Sequence, residues 1–394
     1  MLDPRPPPAL ADFRSETIRG TAGYFRVAQT PAGAWWLLDR QDRPFFGAAV
    51  EGPEAAGVSE PRLRAWNFNT CVYGVRGADV PDSSLPRLLT AGVSEGGPWV
   101  HTGGARLPDA FDHAWPEHVR VRAERVCADR REDAGILGWR LDEALDWAWS
   151  EAHGRPTLLQ LCLSLDPRFA AYHAAWEFTL ALHDGSFERL AAEWQVPLTN
   201  KEMLRAWTQA ERGIATGGYL ADHRLWSEQY ARRYFATAAK ALRAAAPYHL
   251  KFAPSCGRMP APPWLAAQSS LLLDVGAFPW SPEEEGVREN LGPCWIDGFT
   301  WADPRVYAPP CGNGEALDLT RVERMLQRGR RHLARIVDAP DAVGWTWRGD
   351  DGGLKTQWEF GPRLVRPDGS DAAEHTDLLA WLNARAPGER ARLG

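Results

Sequence analysis

Short apolar runs alternate with longer stretches in which apolar residues recur every three or four positions. That alternation is the signature of strands followed by amphipathic helices, and it predicts a parallel sheet. The runs that read as strands are residues 44–50 (PFFGAAV), 68–75 (FNTCVYGV), 98–101 (PWVH) and 136–143 (ILGWRLDE), followed by 249–255 (HLKFAPS), 271–278 (LLLDVGAF), 293–299 (PCWIDGF) and 342–348 (AVGWTWR). Eight is the number that closes a (β/α)8 TIM barrel, so the expected fold class is α/β. Two alternating runs around Pro31-Ala32-Gly33 predict an N-terminal β-hairpin that plugs the bottom of the barrel. The expected organisation is therefore an N-terminal extension and hairpin over residues 1–43 and a barrel over 44–394. Residues 144–247, between the fourth and fifth strands, are too many for one βα unit. Their helical spacing in 166–183 and 227–246 predicts a helical insertion on the C-terminal face, where barrel loops build active sites. The Pro-rich first ten residues and the final 384–394 are expected to fray.

The length of 394 residues suits one large barrel and a sizeable core. With 45 basic against 51 acidic side chains the net charge is −6, the wrong sign for a general nucleic-acid binder. No apolar run is long enough to span a bilayer, and the first residues carry no basic segment leading into an apolar one, so the expected location is cytoplasmic. The six cysteines, Cys71, Cys127, Cys162, Cys256, Cys294 and Cys311, form no CxxC pair and no metal-ligand spacing; they read as reduced, mostly buried thiols. No zincin, Rossmann or P-loop motif occurs, and no metal or organic cofactor is implied. Twenty tryptophans stand out. Indole faces stack on the apolar C–H faces of sugar rings, so this composition suits a saccharide cleft as well as a core.

Several segments match one family in order and spacing. Residues 35–47 (WWLLDRQDRPFFG), 66–74 (WNFNTCVYG), 107–115 (LPDAFDHAW), 230–258 and 339–352 resemble successive motifs of the β-agarase-like glycoside hydrolases. The resemblance covers nearly the whole chain. It implies a retaining TIM-barrel glycosidase with one catalytic Glu on strand four and another on strand seven, acting on a β-linked saccharide.

Both catalytic positions depart from that pattern. At strand four the family reads GYFxDNELxW, and here Gly138-Trp139-Arg140-Leu141-Asp142-Glu143-Ala144-Leu145-Asp146-Trp147 places Ala144 at the acid/base position and Glu143 at the preceding Asn. At strand seven Pro293-Cys294-Trp295-Ile296-Asp297-Gly298-Phe299 places Gly298 at the nucleophile and Asp297 just before it. Each expected carboxylate is thus displaced by one residue. Neighbouring side chains on a strand face opposite ways, so a displaced acid points away from the barrel axis unless a β-bulge re-aims it.

Glu143 and Asp297 are accordingly the candidate catalytic pair. Trp139, Asp142 and Trp147 around Glu143, Trp295 and Trp301 around Asp297, and Trp345, Trp347 and Arg348 on strand eight are the candidate substrate-binding residues, with His101 and Asn69 at other strand ends. His173, Glu177 and His183 on the insertion read as packing or surface residues. Three functions compete: a glycosidase using the displaced acids, a catalytically inactive barrel that binds a saccharide or other small molecule, and a repurposed barrel with lyase, isomerase or cyclase chemistry. The expected partner in the first two is a saccharide or small molecule; nothing specifies an oligomeric state.

Overall fold

The computed structural model describes residues 6–53, 57–74, 80, 83–102, 105–143, 145, 147, 156–254, 263–279, 292–299, 319–347, 364–366 and 368–393. The chain opens with an antiparallel sheet of β1 (Arg19–Gly20), β2 (Arg26–Gln29), β3 (Trp35–Leu38) and β4 (Pro44–Phe45). β2 and β3 pair with Val27 opposite Leu37. Their turn needs Gly33, whose φ of 97° suits glycine, and is tied by the Ala34 N–H donating to the Thr30 hydroxyl at 3.2 Å.

A second sheet carries the molecule. Its strands are β5 (Gly47–Glu51), β6 (Thr70–Tyr73), β7 (Arg87–Thr90), β10 (Ile136–Arg140), β11 (Leu250–Phe252), β12 (Gly276–Pro279), β13 (Cys294–Phe299) and β14 (Ala342–Trp347), while β8 (Trp99–Thr102) and β9 (Ala105–Pro108) form a separate antiparallel hairpin after β7. All eight pair in parallel in chain order, and β14 returns to β5. The remaining seam, between β11 and β12, is joined by a parallel bridge from Phe252 to Val275 and by Ala253 N–H donating to the Val275 carbonyl at 2.9 Å. The sheet is therefore a nearly closed, TIM-like barrel. Its lumen is filled by Ala49, Val72, Leu88, Leu137, Leu250, Phe252, Val275, Trp295 and Val343, and one face of the β2–β3 hairpin (Val27, Trp35, Leu37) packs into the same cluster from below.

Helices α1 (Glu60–Ala65), α2 (Trp115–Cys127), α3 (Leu158–Ser164), α4 (Ala170–Leu182), α5 (Phe187–Glu193), α6 (Lys201–Gln209), α7 (Gly217–Ala245), α8 (Pro263–Leu272), α9 (Leu319–Asp338) and α10 (Ala373–Arg390) surround the barrel. Five of them, α3 to α7, lie between β10 and β11. α7 buries Tyr219, His223, Trp226, Tyr230 and Tyr234 at steps of three and four residues, a stripe in which Tyr219 meets Trp194, Trp226 meets Phe178 of α4 and Tyr234 meets Trp115 of α2. Burying each such side chain is worth about 1.5–3 kcal/mol, which outweighs the modest propensity of aromatics for helix. His183 ties this group together: its Nε2 lies 2.7 Å from Asp222 on α7 and its Nδ1 lies 3.0 Å from Glu193 on α5.

Three expectations are corrected. The third barrel strand is β7, not residues 98–101, most of which lie in β8 and pair only with β9. β7 escaped the pattern because Pro86 and Arg87 interrupt its apolar run; Arg87 is nonetheless buried, bound by both oxygens of Asp133 at 2.9 and 2.7 Å. Residues 271 and 272 end α8 rather than begin a strand. The C-terminal segment is not frayed: Arg390 is fully buried and donates to the carbonyls of Trp35, Val337, Ala339 and Pro340, which locks α10 onto the barrel base.

Candidate functional site at the barrel mouth

Trp295 sets the phase of β13. Its indole crosses the lumen against Gly47 and Gly344; a Cβ on Gly47 would meet the ring at 2.5 Å, and one on Gly344 would come closer still. The indole Nε1 donates to the Thr346 hydroxyl at 2.7 Å. Two residues on, Asp297 points into the lumen as well, above this floor. β13 is irregular at this point: its register against β14 shifts between Ile296 and Phe299, and Gly298 adopts a φ of 73°, a conformation that disfavours a side chain as large as Glu.

Asp297 meets Arg140 from the far wall. Arg140 Nη1 donates to Asp297 Oδ2 at 2.9 Å, its Nε donates to the Thr90 hydroxyl at 3.0 Å, and its Nη2 lies 3.6 Å from Glu51. Arg140, Thr90 and Glu51 end β10, β7 and β5, and Asp297 lies two residues before the end of β13, so one guanidinium links four strands across the mouth. The Arg140 and Asp297 side chains are 2% and 0% exposed, whereas Glu51 is 26% exposed. In such burial the charges persist only because they are paired and hydrogen-bonded.

Glu143, just beyond β10, is exposed and reaches across β7 to Gly74 at the end of β6, where an added Cβ would meet its Oε1 at 2.5 Å. The mouth thus sets two carboxylates, Glu51 and Asp297, around one guanidinium, with Glu143 exposed beside the end of β6. Asp142 faces the opposite way. It is buried, and it accepts from the Ser94 N–H at 3.0 Å, the Ser94 hydroxyl at 2.7 Å and the Tyr234 hydroxyl at 2.5 Å. Burial pushes its carboxyl up to about 6, against the lowering effect of those hydrogen bonds. Its place is a clamp between the loop after β7 and helix α7.

The other sequence candidates scatter. Trp345 and Trp347 share a face, but it is the outer one: both are fully buried, Trp345 against Phe68 and Phe299 and Trp347 against Phe299 and His375. They offer no open platform to a sugar; Thr346 between them faces the lumen instead. Trp139 is buried in the layer between sheet and helices, and Trp147 is buried against Tyr230, Tyr234 and Phe235 of α7. Asn69 lies at the N-terminal end of β6, accepting from the Ala48 N–H at 2.8 Å and donating to the Phe46 carbonyl at 2.9 Å, a role in the barrel base. His101 is on the β8–β9 hairpin, paired with Arg106. Trp301 and Arg348 lie outside the described residues, as does Ala144.

Three mouth residues escaped the sequence reading: Glu51, Thr90 and Arg140. The signal existed for Glu51, since it shares the phase of lumenal Ala49. For Arg140 it lay in the comparison with GYF, where an arginine stands at the aromatic position. Among the described residues, no group of three or more His, Cys, Asp and Glu could hold a metal ion, and no helix is long and apolar enough to cross a membrane.

No protein-family model matches this chain, and no curated protein matches it in sequence. Solved structures do match. An exo-β-agarase superposes with a TM-score of 0.71 at 15% identity, over 99% of this chain and 69% of that one. BpGH50 gives 0.67 at 16%, over 98% and 87%. A β-galactosidase from Rahnella sp. R3 gives 0.54 at 13%, over 87% and 56%. At such identities the likeness is one of fold: the chain shares the barrel of these structures.

Proposed function

We propose that the C-terminal mouth of this barrel takes a β-linked saccharide and acts on its glycosidic bond, with Glu143 as the group that transfers the proton. The observation that supports this reading is the charge arrangement of the mouth of an agarase-like barrel: Glu51 and Asp297 around the Arg140 guanidinium, and Glu143 exposed beside the end of β6. An excess of negative charge favours the oxocarbenium-like transition state of glycoside cleavage. Asp297, named beside Glu143 by the sequence, is too enclosed to reach a sugar; paired with Arg140, it holds that cation in the floor. Glu51, a quarter exposed and drawn toward the same cation, is the better second carboxylate. In this arrangement Glu143 protonates the leaving oxygen while Glu51 faces the anomeric carbon or the attacking water.

A second reading, saccharide binding without hydrolysis, is favoured by one specific fact: the residues at the family's two catalytic positions are Ala144 and Gly298. Turnover and binding of aryl β-glycosides and agar-type oligosaccharides by the wild type, Glu143→Gln, Glu51→Gln and Asp297→Asn separate the two. Loss of a positioned acid or base costs about 10²–10⁴ in rate, so hydrolysis predicts at least a hundredfold fall in the first two variants. Saturable binding with no turnover in any of the four proteins establishes the binder. Neither binding nor turnover overturns both.

A further inference from the structure

Glu143 leaves the barrel from backbone that is held on both sides. One residue beyond the end of β10, the Leu141 N–H donates to the Phe252 carbonyl of β11 at 3.1 Å, and the Leu141 carbonyl accepts from the Val93 N–H at 3.0 Å. Asp142 comes next. Its carboxylate is buried and accepts from the Ser94 N–H, the Ser94 hydroxyl and the Tyr234 hydroxyl, and both partner residues are fully buried too. Hydrogen bonds to a charged acceptor are about twice as strong as neutral ones, and a dry site strengthens them further. Three of them fix where the Asp142 backbone sits. Glu143 follows it directly, and its reach over Gly74 starts from that point.

Neither donor residue belongs to a strand of the barrel. Ser94 lies in the loop after β7, which Arg122 of α2 ties down by donating from Nε to the Gly92 carbonyl at 3.1 Å and by pairing with Glu95 at 2.6 Å. Tyr234 belongs to α7, the longest helix of the insertion, and its ring lies against Trp115 of α2 and against Trp147. Burial, with the Asp142 charge beside it, keeps the Tyr234 hydroxyl protonated well above its ordinary range, so it remains a donor. Tyr230, about one turn earlier on the same helix, is buried as deeply but donates to the Pro108 carbonyl at 2.7 Å. The two hydroxyls differ chiefly in what they hold.

We propose that Asp142 is a positioning residue of the mouth: bound to Ser94 and Tyr234, it holds the backbone from which Glu143 is aimed, so that helix α7 of the insertion takes part in seating the proton-transferring group. The inference rests on the function proposed above only for the role of Glu143.

The test removes single hydroxyls from the full-length protein, with Tyr234→Phe and Ser94→Ala as the variants and Tyr230→Phe as the matched control. Two quantities are read: kcat and KM on an aryl β-glycoside, and backbone amide hydrogen exchange across residues 141–143. A misplacement of about 1 Å in an active site can cost about a hundredfold in rate, so kcat should fall at least about tenfold in both variants with KM nearly unchanged. Exchange across 141–143 should quicken at least about tenfold in the same two proteins. Tyr230→Phe should leave both quantities at their wild-type values, whereas a general loss of packing would move the control as well. A wild type that does not hydrolyse the glycoside removes the hydrolase reading but not the positioning of Glu143, which the exchange then decides. Exchange at 141–143 that is unchanged in Tyr234→Phe and Ser94→Ala, or that quickens equally in Tyr230→Phe, overturns the proposal.

Discussion

Breaking the Arg140–Asp297 pair from one side should cost far more than removing both members. Arg140→Met takes the guanidinium from a carboxylate whose side chain is 0% exposed, and stranding a buried charge costs about 3–5 kcal/mol. Asp297→Leu leaves Arg140 with the Thr90 hydroxyl at 3.0 Å and Glu51 at 3.6 Å, so its cost should sit at or below the lower end of that range. In the double variant two apolar side chains replace a buried ion pair, and such replacements are often neutral or stabilising by about 1–4 kcal/mol. The coupling energy between the two sites should then be at least about 3 kcal/mol, at or beyond the top of what contacting residues show. Urea unfolding followed by tryptophan fluorescence measures it, with unchanged m-values as the check that only stability has moved. Additive losses, with a coupling below about 0.5 kcal/mol, would mean that water and not the protein solvates this pair, and the enclosed floor of the mouth would be refuted.

Three further outcomes follow from single contacts. Burial lifts the Asp142 carboxyl to about 6, above its unfolded value of about 3.9, so the folded chain holds that proton more tightly and stability falls as the pH rises from about 4 to 6. Asp142→Asn should flatten this part of the stability profile, and an unchanged slope would remove Asp142 as its source. Gly344→Ala drives a methyl into the buried Trp295 ring and into the Gly47 backbone, so it should destabilise by about 1–3 kcal/mol or more, and by more than Gly47→Ala, whose clashes are with side chains alone; equal thermal shifts would contradict the packed floor. Gly74→Ala displaces only the exposed end of Glu143, so it should lower saccharide turnover while leaving the urea midpoint nearly unchanged. A variant with wild-type turnover would place the working position of Glu143 elsewhere.

Much of the architecture was legible because its signals are local. Apolar runs marked the strands that became β5, β6, β10, β11, β13 and β14, and the three- and four-residue spacing marked α4 and α7. β7 was not legible, since its four residues include an arginine whose neutralising partner, Asp133, is remote in sequence. At the site, residue types were easier to read than directions. The alternation of Trp345, Thr346 and Trp347 was visible, but which face was lumenal depended on the Trp295–Thr346 hydrogen bond, a contact 51 residues apart. Likewise Arg140 stands only three residues from Glu143 in sequence. Its actual partner is 157 residues away, across the lumen. The displaced Asp297 faces inward because it shares the phase of lumenal Trp295, and the irregularity of β13 at Gly298, which no sequence period reports, comes only after it.

The central claim is that the mouth around Glu143, Glu51 and Arg140 receives the saccharide. A crystal structure of the Glu143→Gln variant soaked with an agar-type oligosaccharide tests it most directly. The account predicts a sugar ring in the mouth above Trp295, with the introduced side-chain amide within hydrogen-bonding distance of a glycosidic oxygen and Glu51 on the other side of the ring. A sugar bound elsewhere with the mouth filled only by solvent, or one that contacts Asp297 in place of Glu51, would contradict it.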